Sequence, residues 1–198
     1  MDPVFDAVYF NLGNALLHES REEDASAAFR NFLQAAAKNP AYEQGLPLVP
    51  QAPAPAFATM ESSGHAVSSE ALGGRFVLLD FWATWCGACM RALPAKRQLA
   101  DYFSSAQFTV ISVNEDAPDQ DVWRKFIAQQ NMDWVQVWDK NPEIYQNFHL
   151  APPADLSLPR YVLLDRNGAV LRVYDGLDRL GPVVGQIVRT ATVVPKAP

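Results

Sequence analysis

The chain has 198 residues, of which 49% are hydrophobic, 11% aromatic and 19% charged, with a formal net charge of −6. That composition is ordinary for a globular protein and allows one domain of common size plus a small second unit. The acidic balance excludes a general nucleic-acid binder, which needs a basic face to neutralise phosphates, and no stretch approaches the roughly 18 apolar residues of a membrane span.

The opening segment, MDPVFDAVYF, lacks the basic start and apolar run of a secretory signal. Residues 4–39 predict a helical hairpin: Val8, Leu12, Ala15 and Leu16 fall at helical spacing, as do Ala25, Ala28, Phe29, Phe32 and Leu33. Between the two runs, HESREEDA reads as a polar turn followed by acidic residues at a helix start, where they suit the dipole. Pro40 disfavours helix at Asn39 and ends the second helix. The hairpin, taken as residues 1–42, resembles one tetratricopeptide repeat in NLGNALL and in the register of Ala25, Ala28 and Phe29. Its Pro40 stands about three residues later than the usual repeat length. A single repeat cannot bury its apolar face alone. It must dock on the rest of the chain, pair with another copy, or continue a longer repeat array, and the last is the expectation. The partner such a hairpin implies is a protein client.

Residues 43–56, EQGLPLVPQAPAPA, contain four prolines and read as an extended linker and domain boundary. From Phe57 to residue 192 strands and helices alternate. FATM and HAV flank the turn ESSG as a short hairpin. RFVLLDFWA is a continuous apolar run of strand length, as in a strand buried on both faces. Residues 87–103 predict a helix, QFTVISVN a second buried strand, and PDQDVWRKFIAQQ a helix with Val122, Phe126 and Ile127 on one face. Residues 142–149 suit a short helix. RYVLLD and AVLRVYD flank an Asn167-Gly168 hairpin turn. Residues 179–192 close as a helix, and 193–198 are a tail. The pattern predicts an α/β layered domain with a mixed central sheet flanked by helices, preceded by the small α-helical hairpin.

The only two cysteines are Cys86 and Cys89, in FWATWCGACM. A haem anchor needs His directly after the second Cys, and Met90 is there. A structural zinc site needs four ligands, and His18, His65 and His149 are scattered. Two inert buried thiols would not need this spacing between a strand and a helix. A redox pair does. Cys86 would lie at the mouth of the helix, where unpaired N–H groups and the CxxC arrangement lower a thiol's pKa. Its thiolate attacks a disulfide; Cys89, one turn on and less exposed, resolves the mixed disulfide.

LLDFWATWCGAC, with SSEALGGRFVLLDFW upstream and SLPRYVLLDRNGAV downstream, resembles the thioredoxin superfamily over roughly residues 55–190, and within it the TlpA/ResA-like branch of thiol–disulfide oxidoreductases. The resemblance implies a central sheet with flanking helices, an extra N-terminal β-hairpin and a strand–helix insertion. It also implies no cofactor beyond the Cys86–Cys89 disulfide, no metal, protein disulfides as substrates and an upstream reductant. It places Asp80, six residues before Cys86, where thioredoxin has a buried acid. A carboxylate buried beside an apolar strand holds a proton more readily than one in water, so Asp80 is the candidate acceptor for the proton of Cys89. Pro94 falls where the family helix kinks. Trp85 reads as a contact surface beside Gly87 and Ala88, and Trp82 as a packing residue. Pro159 matches the family's cis-proline, which would free the Leu158 backbone to pair with an extended substrate segment.

Three departures from the family stand out. Ala88 replaces the usual proline between the cysteines, Ala92 stands where the branch often has Glu, and FHLAPPADLSLP carries about five extra residues before Pro159. Two other functions compete: a thiol peroxidase, although DFWATW lacks the PxxxTxxC pattern, and an adaptor in which the hairpin recruits clients. The absence of cysteines beyond the pair suits an oxidising compartment, so the family resemblance favours an extracytoplasmic site, with the cytoplasm as the alternative.

Overall fold

The apolar spacing of the N-terminal segment closes as two helices, α1 (Val4–His18) and α2 (Glu22–Lys38), in a computed structural model that describes residues 4–38, 52–102, 108–116, 120–139, 143–148 and 157–180. The chain divides into two compact units. One contains Met1–Leu48, Arg91–Gln107 and Gly176–Pro198; the other contains Val49–Met90 and Phe108–Asp175.

In the first unit, α1 and α2 meet through aromatic side chains. The Phe10 ring lies 5.3 Å from Phe29 and 5.3 Å from Phe32, tilted or edge-on, the geometry that ring quadrupoles favour. Ala25, Ala28 and Leu33 complete the buried stripe of α2. That stripe faces the part of α3 (Gly87–Tyr102) belonging to this unit. Phe10, Phe29, Phe32 and Leu33 share one small apolar pocket with Ala95, Leu99, Leu177 and Leu180, and Arg30 donates to the Gln98 side-chain oxygen at 3.2 Å.

The second unit is built on a six-stranded mixed sheet in the order β1-β8-β7-β4-β5-β6. Its strands are β1 (Ala52–Pro53), β4 (Phe76–Trp82), β5 (Phe108–Asn114), β6 (Val135–Trp138), β7 (Arg160–Leu164) and β8 (Ala169–Tyr174). β4 runs parallel to β5 and antiparallel to β7, and β5 runs parallel to β6. A separate hairpin of β2 (Ala58–Met60) and β3 (Ala66–Ser68) covers the outer edge of β6. Glu61 bridges to Val137, the Ser62 N–H donates to the Gln136 carbonyl at 2.8 Å, and the Thr59 hydroxyl reaches the Trp138 carbonyl. Two more helices complete the unit, α4 (Gln120–Gln129) and α5 (Glu143–Asn147).

All seven residues of β4 are buried, as its unbroken apolar run predicts. Alternate residues serve different faces. Val77, Leu79 and Phe81 join Ile111, Val113, Val137, Val162, Leu164 and the α5 residues Ile144 and Tyr145 in one cluster. Each such side chain contributes about 1.5–3 kcal/mol on burial. The opposite face carries Leu78, Asp80 and Trp82, with Trp82 packed on Phe126 of α4 at 5.6 Å between ring centroids.

Several elements differ from the sequence reading. β6 was not anticipated: VQVW is short and broken by Gln136, and only its pairing with β5 makes it a strand. Ala52 and Pro53, inside the stretch read as a linker, pair with β8 at Val170 and Ala169. The β7–β8 turn is not the two-residue type that Asn-Gly favours, because Asn167 keeps a negative φ and only Gly168 is positive at +76°. Its closing bond runs from the Gly168 N–H to the Asp165 carbonyl, and the Asp165 carboxylate accepts the N–H groups of Asn167 and Ala169, both at 2.8 Å. That local carboxylate stabilises the alternative turn. Most of the helix expected over 179–192, the 193–198 tail, and residues 149–156 of the extended loop before Pro159 lie outside the described residues.

Gly13 tests the hairpin packing. A Cβ there would stand 2.6 Å from the Phe29 ring, a contact that cannot form without moving a buried aromatic. Gly13→Ala gains about 1 kcal/mol of helix propensity, yet it is expected to lower the thermal midpoint, because the Phe10–Phe29–Phe32 contacts must open. Differential scanning calorimetry of the full chain checks this.

Candidate active site

β4 delivers the chain into the site. After Trp82 the backbone turns through Ala83, Thr84 and Trp85 and enters α3 at Gly87. The Cys86 N–H donates to the Ala83 carbonyl at 3.1 Å, which closes the turn. The first N–H groups of a helix have no intrahelical partner. Here the Cys89 N–H points at Cys86 Sγ from 3.1 Å. A backbone donor and the positive helix end on one sulfur are the conditions that favour a thiolate.

Cys86 and Cys89 are joined in a disulfide with an S–S distance of 2.09 Å and a Cα–Cα distance of 5.2 Å. Cys86 is 6% exposed and Cys89 0%. The pair is therefore reached at the Cys86 end, and that end is a narrower opening than an exposed thiol would give. Trp85 projects beside it at 61% exposure, Gly87 is exposed and Ala88 half-buried. Trp82 is fully buried.

Asp80 lies two residues before Trp82 on the same face of β4 and is fully buried. Its Oδ2 accepts the Ser112 hydroxyl at 2.6 Å, and Ser112 Oγ accepts the Trp134 indole N–H at 2.9 Å.

The Leu158–Pro159 peptide bond is cis. Arg160 pairs with Phe81, so the antiparallel register carries Pro159 and Leu158 alongside Trp82 and Ala83, at the end of β4 that leads to Cys86. Tyr145 anchors this loop from below: its hydroxyl donates to the Ser157 carbonyl at 3.2 Å and accepts the Ser157 N–H at 3.1 Å. Leu158 packs on the core cluster.

Sequence reasoning missed an acidic group at the ends of β5 and β6. Both oxygens of Asp116 accept the Thr84 N–H, at 2.9 and 3.1 Å, and the Asn114 amide donates to Oδ2 at 2.9 Å. The Asp139 carboxylate accepts the N–H groups of Glu143, Ile144 and Tyr145 and so caps α5. Glu115 is 2% exposed, and neither carboxyl oxygen has a hydrogen-bond partner among the described residues. Its backbone N–H donates to the Trp82 carbonyl at 2.8 Å. Burial, with Asp139 and Asp116 nearby, pushes the Glu115 carboxyl up to about 9, and burial raises Asp139 against the pull of its three backbone donors. The signal for these residues was present in NED, a polar run at the C-terminal end of a parallel strand, where α/β sheets place their sites. Among the described residues, no group of three or more His, Cys, Asp or Glu side chains is arranged to hold a metal, and no helix is long and apolar enough to cross a membrane.

Two outcomes are expected from this group. Asp116→Ala leaves the Thr84 N–H and the Asn114 amide without their acceptor and should destabilise the protein by about 1–3 kcal/mol, measured by urea denaturation. Glu115 binds its proton more tightly folded than unfolded, so its contribution is full below its ordinary value of 4.5 and is lost as pH rises toward about 9. Stability should therefore fall with pH through that window, and Glu115→Gln should flatten the fall in denaturant midpoints measured from pH 6 to 9.

Residues 50–182 match the Redoxin family. The chain is 28% identical over 123 residues to the thiol-disulfide oxidoreductase ResA of Geobacillus kaustophilus, covering 62% of this chain and 67% of that protein. Among solved structures it is similar to a Chlorobium tepidum protein assigned as a thiol:disulfide interchange protein DsbE, with 29% identity and a TM-score of 0.60 over 72% of this chain and 97% of that one. It is likewise similar to a thiol:disulfide interchange protein from Bacteroides sp., with 25% identity and a TM-score of 0.61 over 74% and 94% of the two chains. With a strand–CxxC–helix site on a mixed sheet, the chain belongs to the Redoxin family, as a TlpA/ResA-like thiol–disulfide oxidoreductase of the thioredoxin superfamily.

Proposed function

We propose that this thiol–disulfide oxidoreductase acts as a reductant of protein disulfides, with Cys86 as nucleophile, Cys89 as resolving thiol and Asp80 as the acceptor of the Cys89 proton. The observation that carries the reading is the asymmetry of the pair: of the two, Cys86 is the one that reaches solvent, and among the described residues it is the sulfur that receives a helix N–H. The Cys86 thiolate attacks one sulfur of a substrate disulfide, and the other sulfur leaves as a thiolate that takes a proton from water. Cys89 gives its proton to Asp80 and attacks Cys86 Sγ. The Cys86–substrate bond breaks, the second substrate thiolate departs, and the Cys86–Cys89 disulfide forms. Two electrons have passed to the substrate, and an upstream dithiol returns them. The disulfide is itself the redox group, so the cycle needs no further cofactor.

An extended substrate segment would lie against the Leu158 backbone, with Trp85, Gly87, Ala88 and Pro159 forming the surface around the attacked sulfur. The α1–α2 hairpin is the candidate platform for a protein client, and the repeat-like register of its sequence supports that assignment. The lack of cysteines outside the pair supports work in an oxidising, extracytoplasmic compartment.

Insulin reduction with dithiothreitol as electron source tests the cycle. Cys86→Ser is expected to fall to the rate of dithiothreitol alone; a rate equal to wild type would remove the proposal. Cys89→Ser should instead trap a covalent complex with insulin that persists on a non-reducing gel and disappears on reduction.

A further inference from the structure

The sheet is apolar on both faces, yet a polar row crosses it at one level. Tyr161 of β7, Asp80 of β4, Ser112 of β5 and Gln136 of β6 are neighbours in register on one face, each at most 1% exposed. Directly opposed residues share a face of the sheet, so this row is built by pairing. Within it the Asp80–Ser112–Trp134 chain has a fixed sense. An indole N–H only donates, and a hydroxyl carries a single hydrogen. Trp134 Nε1 lies 2.9 Å from Ser112 Oγ, so Ser112 accepts there. Its one hydrogen is then directed to Asp80 Oδ2, 2.6 Å away.

We infer that Ser112 and Trp134 are positioning residues for the resolving step: the hydroxyl and the indole behind it hold the Asp80 carboxylate in the orientation that takes the Cys89 proton, and so shape the pH profile of that step. This rests on Asp80 being the proton acceptor of the proposed cycle. A donor aimed at a carboxylate stabilises its charged form, and the indole behind the hydroxyl polarises it further. Trp134 also prevents the hydroxyl from rotating away. The other buried titratable groups on β4, on the strands beside it and on the segments that follow them are Tyr161 of β7, Glu115 and Asp116 after β5, and Cys86, Cys89 and Lys96 of the α3 segment, while Arg124 and Lys125 of α4 are exposed. All remain in place in Ser112 and Trp134 variants, so a difference between those variants and wild type belongs to the hydroxyl–indole pair.

The reaction of the reduced protein with DTNB, an aromatic disulfide, separates the two chemical steps. Cys86 attack releases one thionitrobenzoate, and Cys89 attack on Cys86 Sγ releases the second. Stopped-flow absorbance as a function of pH follows both phases. In Ser112→Ala the pH midpoint of the second phase is expected to rise by about one unit, while the first-phase profile stays at wild type. Trp134→Phe should move the second phase in the same direction, and Ser112→Thr, which keeps the hydroxyl, should retain the wild-type midpoint. If Ser112→Ala does not give the full first-phase amplitude, Trp134→Phe decides. Second phases of Ser112→Ala and Trp134→Phe that superimpose on wild type, with Asp80→Asn slow, overturn this inference and leave Asp80 in its role. A second phase unaffected in Asp80→Asn overturns both.

Discussion

The site depends on the double burial of β4. A strand covered on both faces cannot send a polar group to water, so whatever polar group it carries must be satisfied inside the protein. Asp80 meets that constraint through Ser112 on the adjacent strand. The same constraint governs the strand's exit. The Trp82 carbonyl accepts the Glu115 N–H, and the Thr84 N–H is held by both oxygens of Asp116. The chain leaves the sheet already tied, and Cys86 arrives at the start of α3 with little freedom. A thiol held in this way would lose little entropy in the attack proposed for Cys86.

A second chain of bonds reaches the other side of the site. Asp139 caps α5, α5 supplies Tyr145, and the Tyr145 hydroxyl grips Ser157 from both its N–H and its carbonyl. The cis-proline loop and the thiol loop are thus fastened to adjacent strand ends, through Asp139 and Asp116 respectively. A buried carboxylate costs several kcal/mol, and each backbone donor offsets about 1.5–3 kcal/mol of that. Asp139 receives three donors and Asp116 receives the Thr84 N–H and the Asn114 amide. Glu115 receives none among the described residues, lies near both, and its carboxyl is pushed up to about 9. Three adjacent acids thus divide into two that fasten backbone and one that stays neutral at pH 7.

Long-period features were legible in the sequence. The FVLLDFW run, the helical spacing of α1 and α2 and the Cys86–Cys89 spacing each follow from local chemistry. Asp80 was legible only because its neighbours are too apolar to be a loop. What was not legible depends on residues far apart in the chain. Ser112 is an unremarked serine until β5 pairs with β4 and sets it opposite Asp80. Tyr145 is one aromatic in a five-residue helix until Ser157, 12 residues on, meets its hydroxyl. β6 exists because β5 offers it an edge, and the β7–β8 turn departs from the Asn-Gly rule because Asp165 competes for the same N–H groups.

The β2–β3 hairpin has a consequence beyond covering β6. With that border covered, the other flank of the described sheet is β8, where, among the described residues, Ala52 and Pro53 are the strand partners. Association of two copies by strand-to-strand contact would join flank to flank and use both up. Along the described strands, growth by that route ends at a pair and not a fibre.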